Sequence, residues 1–389
     1  MVKFSESGTV EFFNRAKQLE AEGQALIHLE VGELDFPPPD FVIEDAREIL
    51  ATQAPKYTSS RGIIELREQI AIYLERRYHM PRPDPRTDVI VTPGAKFGLF
   101  LSTNAILAPG DECILFSPYF PSFKVLVEAL GATVVEQQFL GLADGDVAAG
   151  LREKITARTR AIIINSPNNP TGMVFSEDLL REIAEIVNSN ADLFIISDDI
   201  YEKFTYGGRE FASIASFPEM ANRTFVVNGF SKSFSMTGFR LGYVTGPTRF
   251  VEDMDKVQQN TVTCASDFIQ VTGARALERA NHDDADYHHY FQAMIAEMAL
   301  RRTFLLDQLE AIPTVQIVRP EGAFYAFPKF EEIDSSYKFA LELLEQGVVV
   351  TPGTAFGEFG EGHLRICYTQ PIPILEQACN IIQQACKKY

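Results

Sequence analysis

Four short polar segments carry the residues in this sequence best suited to chemistry. Thr92-Pro93-Gly94-Ala95-Lys96 opens a helical pattern that runs to about Leu107. Small residues at a helix start leave backbone N–H groups free beside the positive end of the helix dipole, making an anion site that a phosphate would fit. Asn165-Ser166-Pro167-Asn168-Asn169-Pro170-Thr171-Gly172 is a turn too rich in Asn and Pro to be core. Ser197-Asp198-Asp199-Ile200-Tyr201 supplies an acid, and Asn228-Gly229-Phe230-Ser231-Lys232 through Arg240 supplies a lysine and an arginine. Acid, amine and anion site together could bind a charged small molecule and move a proton on it.

These segments sit at the ends of apolar runs rich in β-branched residues, at 88–92, 112–116, 161–165, 193–197 and 224–228, which alternate with longer helical patterns. Continuous apolar strands separated by helices predict a mostly parallel sheet covered on both faces, an α/β core. In open α/β sheets, ligands bind beyond the carboxyl ends of the strands, where all four segments fall. Residues 266–312 read as largely helical, and the tail alternates through VQIV, AFYAF, VVV and LRICY to a last amphipathic helix over about 371–388. A second, smaller α+β lobe follows from that pattern. The three prolines of EVGELDFPPPD cannot sit inside a helix, so that segment reads as an extended strap. The expected division is a strap joined to the small lobe over 1–45, a large domain over 46–275 and a small domain over 276–389.

SPNNPTG, SDDIY and SKSFSMTGFRLGY, in that order, resemble the class I aminotransferases of the fold-type I pyridoxal-phosphate family, and within it the subgroup around bacterial aspartate aminotransferases. The resemblance runs from Gly32 to Arg365 and implies a large domain with a mostly parallel mixed sheet plus a smaller α+β domain. It implies that Lys232 holds pyridoxal 5′-phosphate as a Schiff base and, once freed, moves the proton between Cα and the cofactor. Asp198 is expected to face the pyridine nitrogen, where a carboxylate favours the protonated ring. Tyr201 and Asn169 are expected to donate to the cofactor's phenolic oxygen.

The phosphate is expected on the N–H groups of Ala95 and Lys96 after Gly94, on the Ser231 hydroxyl and on Arg240, whose planar fork suits phosphate. Phe120 takes the ring-stacking place. Arg365 is expected to bind the substrate α-carboxylate as a two-point salt bridge, with Gly32 and Asn169 beside it. Tyr57 matches a tyrosine lent to the neighbouring subunit's phosphate, which implies a homodimer with shared active sites; Thr261 or Thr263 is expected to reach across the same interface. The chain departs from the family pattern at Phe120, often Trp or Tyr, at Gly229 in place of a hydroxyl, and at Leu34 in place of a strap proline.

Composition narrows the remaining classes. With 389 residues, 46% of them hydrophobic, the chain can bury a large core, and a net charge of −18 argues against non-specific binding to nucleic acid or anionic membrane. No stretch approaches the roughly 18 apolar residues of a membrane span. The N-terminus lacks the pattern of a secretory signal, and five cysteines without CxxC spacing suggest reduced thiols, so a cytoplasmic setting is expected. No GxGxxG or GxxxxGK[ST] is present. Asn281 to His289 holds three histidines but reads as a solvated inter-helix turn, with no metal expected. Transamination between an amino acid and a 2-keto acid is the leading activity. Elimination, replacement, cyclisation, racemisation or oxidation on the same cofactor is the alternative, and a binding or regulatory protein reusing the fold would need a fused DNA-binding domain or loss of Lys232 or Asp198. Phe12, Phe13 and Phe120, with the acidic balance of the chain, would tolerate an aromatic, aliphatic or basic substrate side chain.

Overall fold

A computed structural model describes residues 8–388; the first seven residues, and with them part of the N-terminal segment read above, lie outside the described residues, as does Tyr389. Helix α1 (Gly8–Ala21) leads into a two-residue strand β1 (Ile27–His28), the strap, and helices α2 (Asp40–Thr52) and α3 (Ile64–Tyr78). There follow β2 (Val89–Thr92), α4 (Ala95–Ile106), β3 (Glu112–Ser117), α5 (Ser122–Ala129), β4 (Thr133–Gln138) and α6 (Asp144–Lys154). The alternation continues through β5 (Thr159–Asn165), α7 (Glu177–Asn188), β6 (Phe194–Asp198), β7 (Thr224–Gly229), the short α8 (Phe230–Ser233) and β8 (Gly242–Thr245).

These strands form one seven-stranded sheet in the order β2-β8-β7-β6-β5-β3-β4. Only β8 runs antiparallel to its neighbours. The strands β3, β5, β6 and β7 are almost wholly buried because helices cover both faces, which is why their sequences are continuously apolar rather than alternating. Each fully buried Ile or Val there contributes about 1.5–3 kcal/mol of apolar transfer. Helix α7 shows how the covering layer is specified. Ser176 caps it by accepting from the Leu179 N–H, Glu177 and Asp178 complement its dipole, and Leu179, Leu180, Ile183 and Val187 face inward.

Beyond the sheet come α9 (Thr248–Thr261), α10 (Asp267–Asn281) and the long α11 (Ala285–Glu310). The tail then contributes β9 (Val315–Gln316), β10 (Tyr325–Ala326), β11 (Lys329–Phe330), α12 (Ser336–Glu345), β12 (Val348–Val349), β13 (Thr351–Pro352), β14 (Leu364–Cys367) and α13 (Ile372–Cys386). A small antiparallel sheet has the order β10-β14-β13, and β1 pairs in parallel with β12. The N-terminal strand is therefore fastened to C-terminal elements, and the Cys367 N–H donates to the Leu29 carbonyl at 2.9 Å. No helix among the described residues is long and apolar enough to cross a membrane.

Two strands differ from the sequence reading. Strand β4 is one of the two edge strands and is half exposed, so TVVEQQ carries no apolar run to reveal it. Strand β8 is buried but only four residues long. It follows the polar loop to Arg240, and Gly242 packs so closely under α4 that a Cβ there would lie 2.4 Å from the Ala95 nitrogen.

Candidate active site

The carboxyl ends of the parallel strands meet the small sheet around a cavity of about 530 Å³. Strand β2 delivers Ala95 and Lys96, β5 delivers Asn165 and Asn169, β6 delivers Asp198 and Tyr201, and β7 with α8 delivers Ser231 and Lys232. Because β8 runs the other way, its start lies on the same edge, which is how Arg240 reaches the site. Arg365 enters from β14, and the strap closes the other side with Gly32.

Lys232 is half-buried within the short α8, and its Nζ donates to the Gly32 carbonyl at 2.5 Å. Burial lowers its pKa to about 8; Arg365 and Arg240 push the same way, against Cys367 and Glu33. A lysine so shifted is more readily deprotonated to a nucleophilic amine than an ordinary lysine.

Asp198 ends β6 and is 4% exposed. Its carboxylate accepts only the Ile200 N–H, at 3.4 Å, and it forms no ion pair among the described residues. Burial accordingly raises its pKa to about 7. The neighbouring Asp199 lies outside the cavity, satisfied by the hydroxyls of Ser197 at 2.6 Å and Ser213 at 3.1 Å. A buried acid with spare acceptor capacity calls for a cationic or N–H-bearing partner.

The opposite end of the cavity calls for an anion. Helix α4 begins after Gly94, whose φ of +88° favours glycine and whose Cβ, if present, would lie 2.6 Å from the Arg240 Nη2. The helix start therefore meets the guanidinium with nothing between. The pKa of Lys96 is lowered by burial and then by Arg240, and its ammonium lies 5.3 Å from the Phe120 ring centroid. Ser231 completes this end. Two cations and a helix N-terminus of 12 residues, with no acid paired to either cation among the described residues, suit a phosphate.

Arg365 is 4% exposed. It donates to Asn169 Oδ1 at 3.1 Å, to Thr351 Oγ1 at 3.3 Å and to the Glu30 carbonyl, while its Nε has no partner. No carboxylate neutralises it among the described residues, so it stands ready for one from a ligand. Asn169 also reaches the Tyr201 hydroxyl at 3.5 Å, and that hydroxyl lies 2.7 Å from the hydroxyl of Tyr325. A Cβ on Gly32 would lie 1.9 Å from the Tyr325 hydroxyl, so position 32 has no room for a side chain.

The cavity thus gathers Gly32, Ala95, Lys96, Phe120, Asn169, Asp198, Tyr201, Ser231, Lys232, Arg240 and Arg365, with Gly94 directly behind. Tyr57 is not in it: its side chain is 88% exposed on a loop tied to the segment bearing Thr261 and Thr263, through Gln258 to the Ser60 carbonyl and Gln270 to Thr58. Phe12 is a correction, since it is buried against Tyr337 at 5.4 Å and lines no part of the cavity. The Phe13 side chain lies outside the described residues. Tyr325, Glu30, Val31 and Glu33 line the cavity without having been singled out. Tyr325 stands in AFYAF, where an aromatic within a short strand reads as core.

The departures have local reasons. Gly229 is needed because a Cβ would lie 2.9 Å from the Gly242 Cα, and Leu34 is buried in the core. The strap is held without its proline, by Lys232 at Gly32, by Thr237 at Glu33 and by the two-point pairing of Arg301 with Asp35. In the histidine-rich turn, Asp284 caps α11 and Asp283 pairs with Arg77, Arg76 and His288. Among the described residues no cluster could hold a metal ion.

Residues 24–382 match the family described as aminotransferase class I and II. The chain is 39% identical to a probable aspartate/prephenate aminotransferase of Aquifex aeolicus, covering 93% of this chain and 91% of that one. It is 36% identical to aromatic-amino-acid aminotransferase 2 of Thermococcus litoralis, over 94% and 92% of the two chains. Among solved structures, the aspartate aminotransferase of Thermus thermophilus with maleate superimposes with a TM-score of 0.90 at 34% identity, over 98% of this chain and 97% of that one. With the lysine, the buried acid and two arginines, neither ion-paired among the described residues, lining one cavity, the chain belongs to the class I and II aminotransferases of fold type I and is a pyridoxal-phosphate-dependent aminotransferase.

Proposed function

We propose that Lys232, Asp198 and Arg365 divide the work of a transamination at one site, and that the site is shared between two copies of the chain. What carries this reading is that a lysine, an acid and an arginine line a single cavity and none has an oppositely charged partner among the described residues. When bound, pyridoxal phosphate supplies an aldehyde carbon for an incoming amine and a ring that draws negative charge away from the substrate Cα. Phosphate would be held by the Ala95 and Lys96 N–H groups, Ser231 and Arg240, and Phe120 would lie against the ring. Asp198 would face the ring nitrogen and favour its protonated form, and Tyr201 with Asn169 would donate to the phenolic oxygen. Arg365 takes the substrate α-carboxylate with its two-point fork, assisted by Asn169, and so fixes Cα for proton removal. The Lys232 amine, its pKa lowered by burial to about 8, would be the base placed to take the substrate Cα proton.

The exposed tyrosine at 57, beside exposed Thr261, Val262 and Thr263, supports a homodimer in which Tyr57 donates to the neighbour's phosphate. The pairing of β1 with β12 supports grouping residues 1–45 with a small domain over 276–389, apart from the large domain over 46–275. All five cysteines are free, which fits an enzyme of amino acid metabolism in the cytoplasm. Purified protein with a panel of amino acids, with and without pyruvate or 2-oxoglutarate, tests the reaction. Keto-acid-dependent consumption is expected; ammonia or peroxide formed without an acceptor would overturn it in favour of elimination or oxidation.

A further inference from the structure

We propose that Tyr325 is a positioning residue that joins the two halves of the site, its hydroxyl acting on Tyr201 and its ring acting on Arg365. The inference rests on the roles proposed above for those two residues. Tyr325 lies on β10, is 1% exposed, and stands edge-on to Tyr201 with ring centroids 5.7 Å apart. The two hydroxyls are 2.7 Å apart and carry one proton each, so only one of them donates to the other. If Tyr201 spends its proton on the cofactor's phenolic oxygen, the bridging proton must come from Tyr325. A donor on the Tyr201 oxygen polarises its O–H and strengthens the onward bond.

The same side chain presents its ring to the Arg365 guanidinium, 4.9 Å from the centroid, with Phe356 at 5.0 Å also packed on the guanidinium. A guanidinium packed on rings keeps its plane fixed while its free Nε and outer nitrogens remain open to a carboxylate. Gly32 explains how the hydroxyl comes so near the strap, since any side chain there would displace it. The hydroxyl and the ring are therefore separable, and two substitutions distinguish them.

Y325F removes the hydroxyl and keeps the ring; Y325L removes both. Two quantities are read on the cofactor-loaded enzymes: the apparent pKa of the bound cofactor from its absorbance between pH 5 and 10, and KM for an amino donor and for 2-oxoglutarate. For Y325F the absorbance pKa should rise by about 0.3–1 unit, the worth of one hydrogen bond, with KM within about twofold of wild type. Y325L should show the same rise and a KM increase of about three- to thirtyfold, the range of a buried cation–π contact. Should Y325L fail to accumulate, Y325M keeps much of the volume and carries the ring test. An unshifted absorbance pKa in Y325F, or a KM that rises as much in Y325F as in Y325L, would overturn the inference. A wild-type protein without pH-dependent cofactor absorbance would instead overturn the reading of the site on which it depends.

Discussion

Replacing Asp198 by Asn should alter how stability depends on pH, and in opposite senses with and without the cofactor. Asp198 titrates near 7 in the folded cofactor-free protein against an ordinary 3.8, because burial disfavours its charge. Below about pH 4 both folded and unfolded chains hold the proton and the group is neutral in its effect. As pH rises towards 7 the unfolded chain has released the proton while the folded chain still carries it, so stability is lost through that window and levels off above it. A gap of about three pKa units corresponds to about 4 kcal/mol in total, of which about 3 kcal/mol falls between pH 5 and 8.5. Asn cannot titrate. The stability of cofactor-free D198N relative to wild type should therefore improve by about 3 kcal/mol over that range, whatever the constant cost of the amide. Asp199 works in the same direction, because burial, and to a lesser extent the Asp198 charge, raises it to about 8.

The assay is chemical denaturation at pH 5 and 8.5, which avoids comparing melting enthalpies. With saturating pyridoxal phosphate the order should turn, since in the proposed arrangement a cationic ring nitrogen would stabilise the Asp198 carboxylate, a gain open to wild type and not to D198N. D199N serves as the control: it should share the pH effect and lack the reversal. Wild type and D198N that keep a constant stability difference from pH 5 to 8.5 without cofactor would refute the reasoning.

Arg365→Ala should raise KM for amino and keto substrates by about 100-fold or more while the bound cofactor's absorbance persists, because in the proposed role the guanidinium binds the substrate carboxylate and not the cofactor; steady-state kinetics with spectra checks this. Gly94→Ala places a methyl 2.6 Å from the Arg240 Nη2 on a backbone of φ +88°, and should weaken cofactor binding about tenfold by fluorescence titration without unfolding the protein. Tyr57→Phe should weaken cofactor binding about tenfold, as loss of a charge-assisted hydrogen bond does, and sedimentation should find two chains per particle in both wild type and variant. A monomer, or unchanged affinity, would refute the shared site.

The site was legible because its chemistry occupies strand ends, where polar runs such as SDDIY interrupt apolar ones. The acids and bases stand out against the buried strands that deliver them. Tyr325 was not legible, since an aromatic in a two-residue strand gives the same pattern whether it fills core or faces a ligand. Gly32 could be placed by resemblance, yet the reason for it is a hydroxyl almost 300 positions away that no local pattern records. Phe12 misled because α1 carries aromatics near the strap, and only the packing against Tyr337 shows which way that one points. Strand β4 escaped because an edge strand needs no continuous apolar face, and Val31, exposed at the cavity mouth, looks in sequence like any strand residue.

The claim on which the account turns is the covalent attachment of the cofactor through residue 232. Protein reconstituted with pyridoxal phosphate, reduced with borohydride and digested should yield a single pyridoxyl-bearing peptide modified at Lys232, absent from K232A. Colourless protein after reconstitution, or a label on another lysine with residue 232 unmodified, would contradict it.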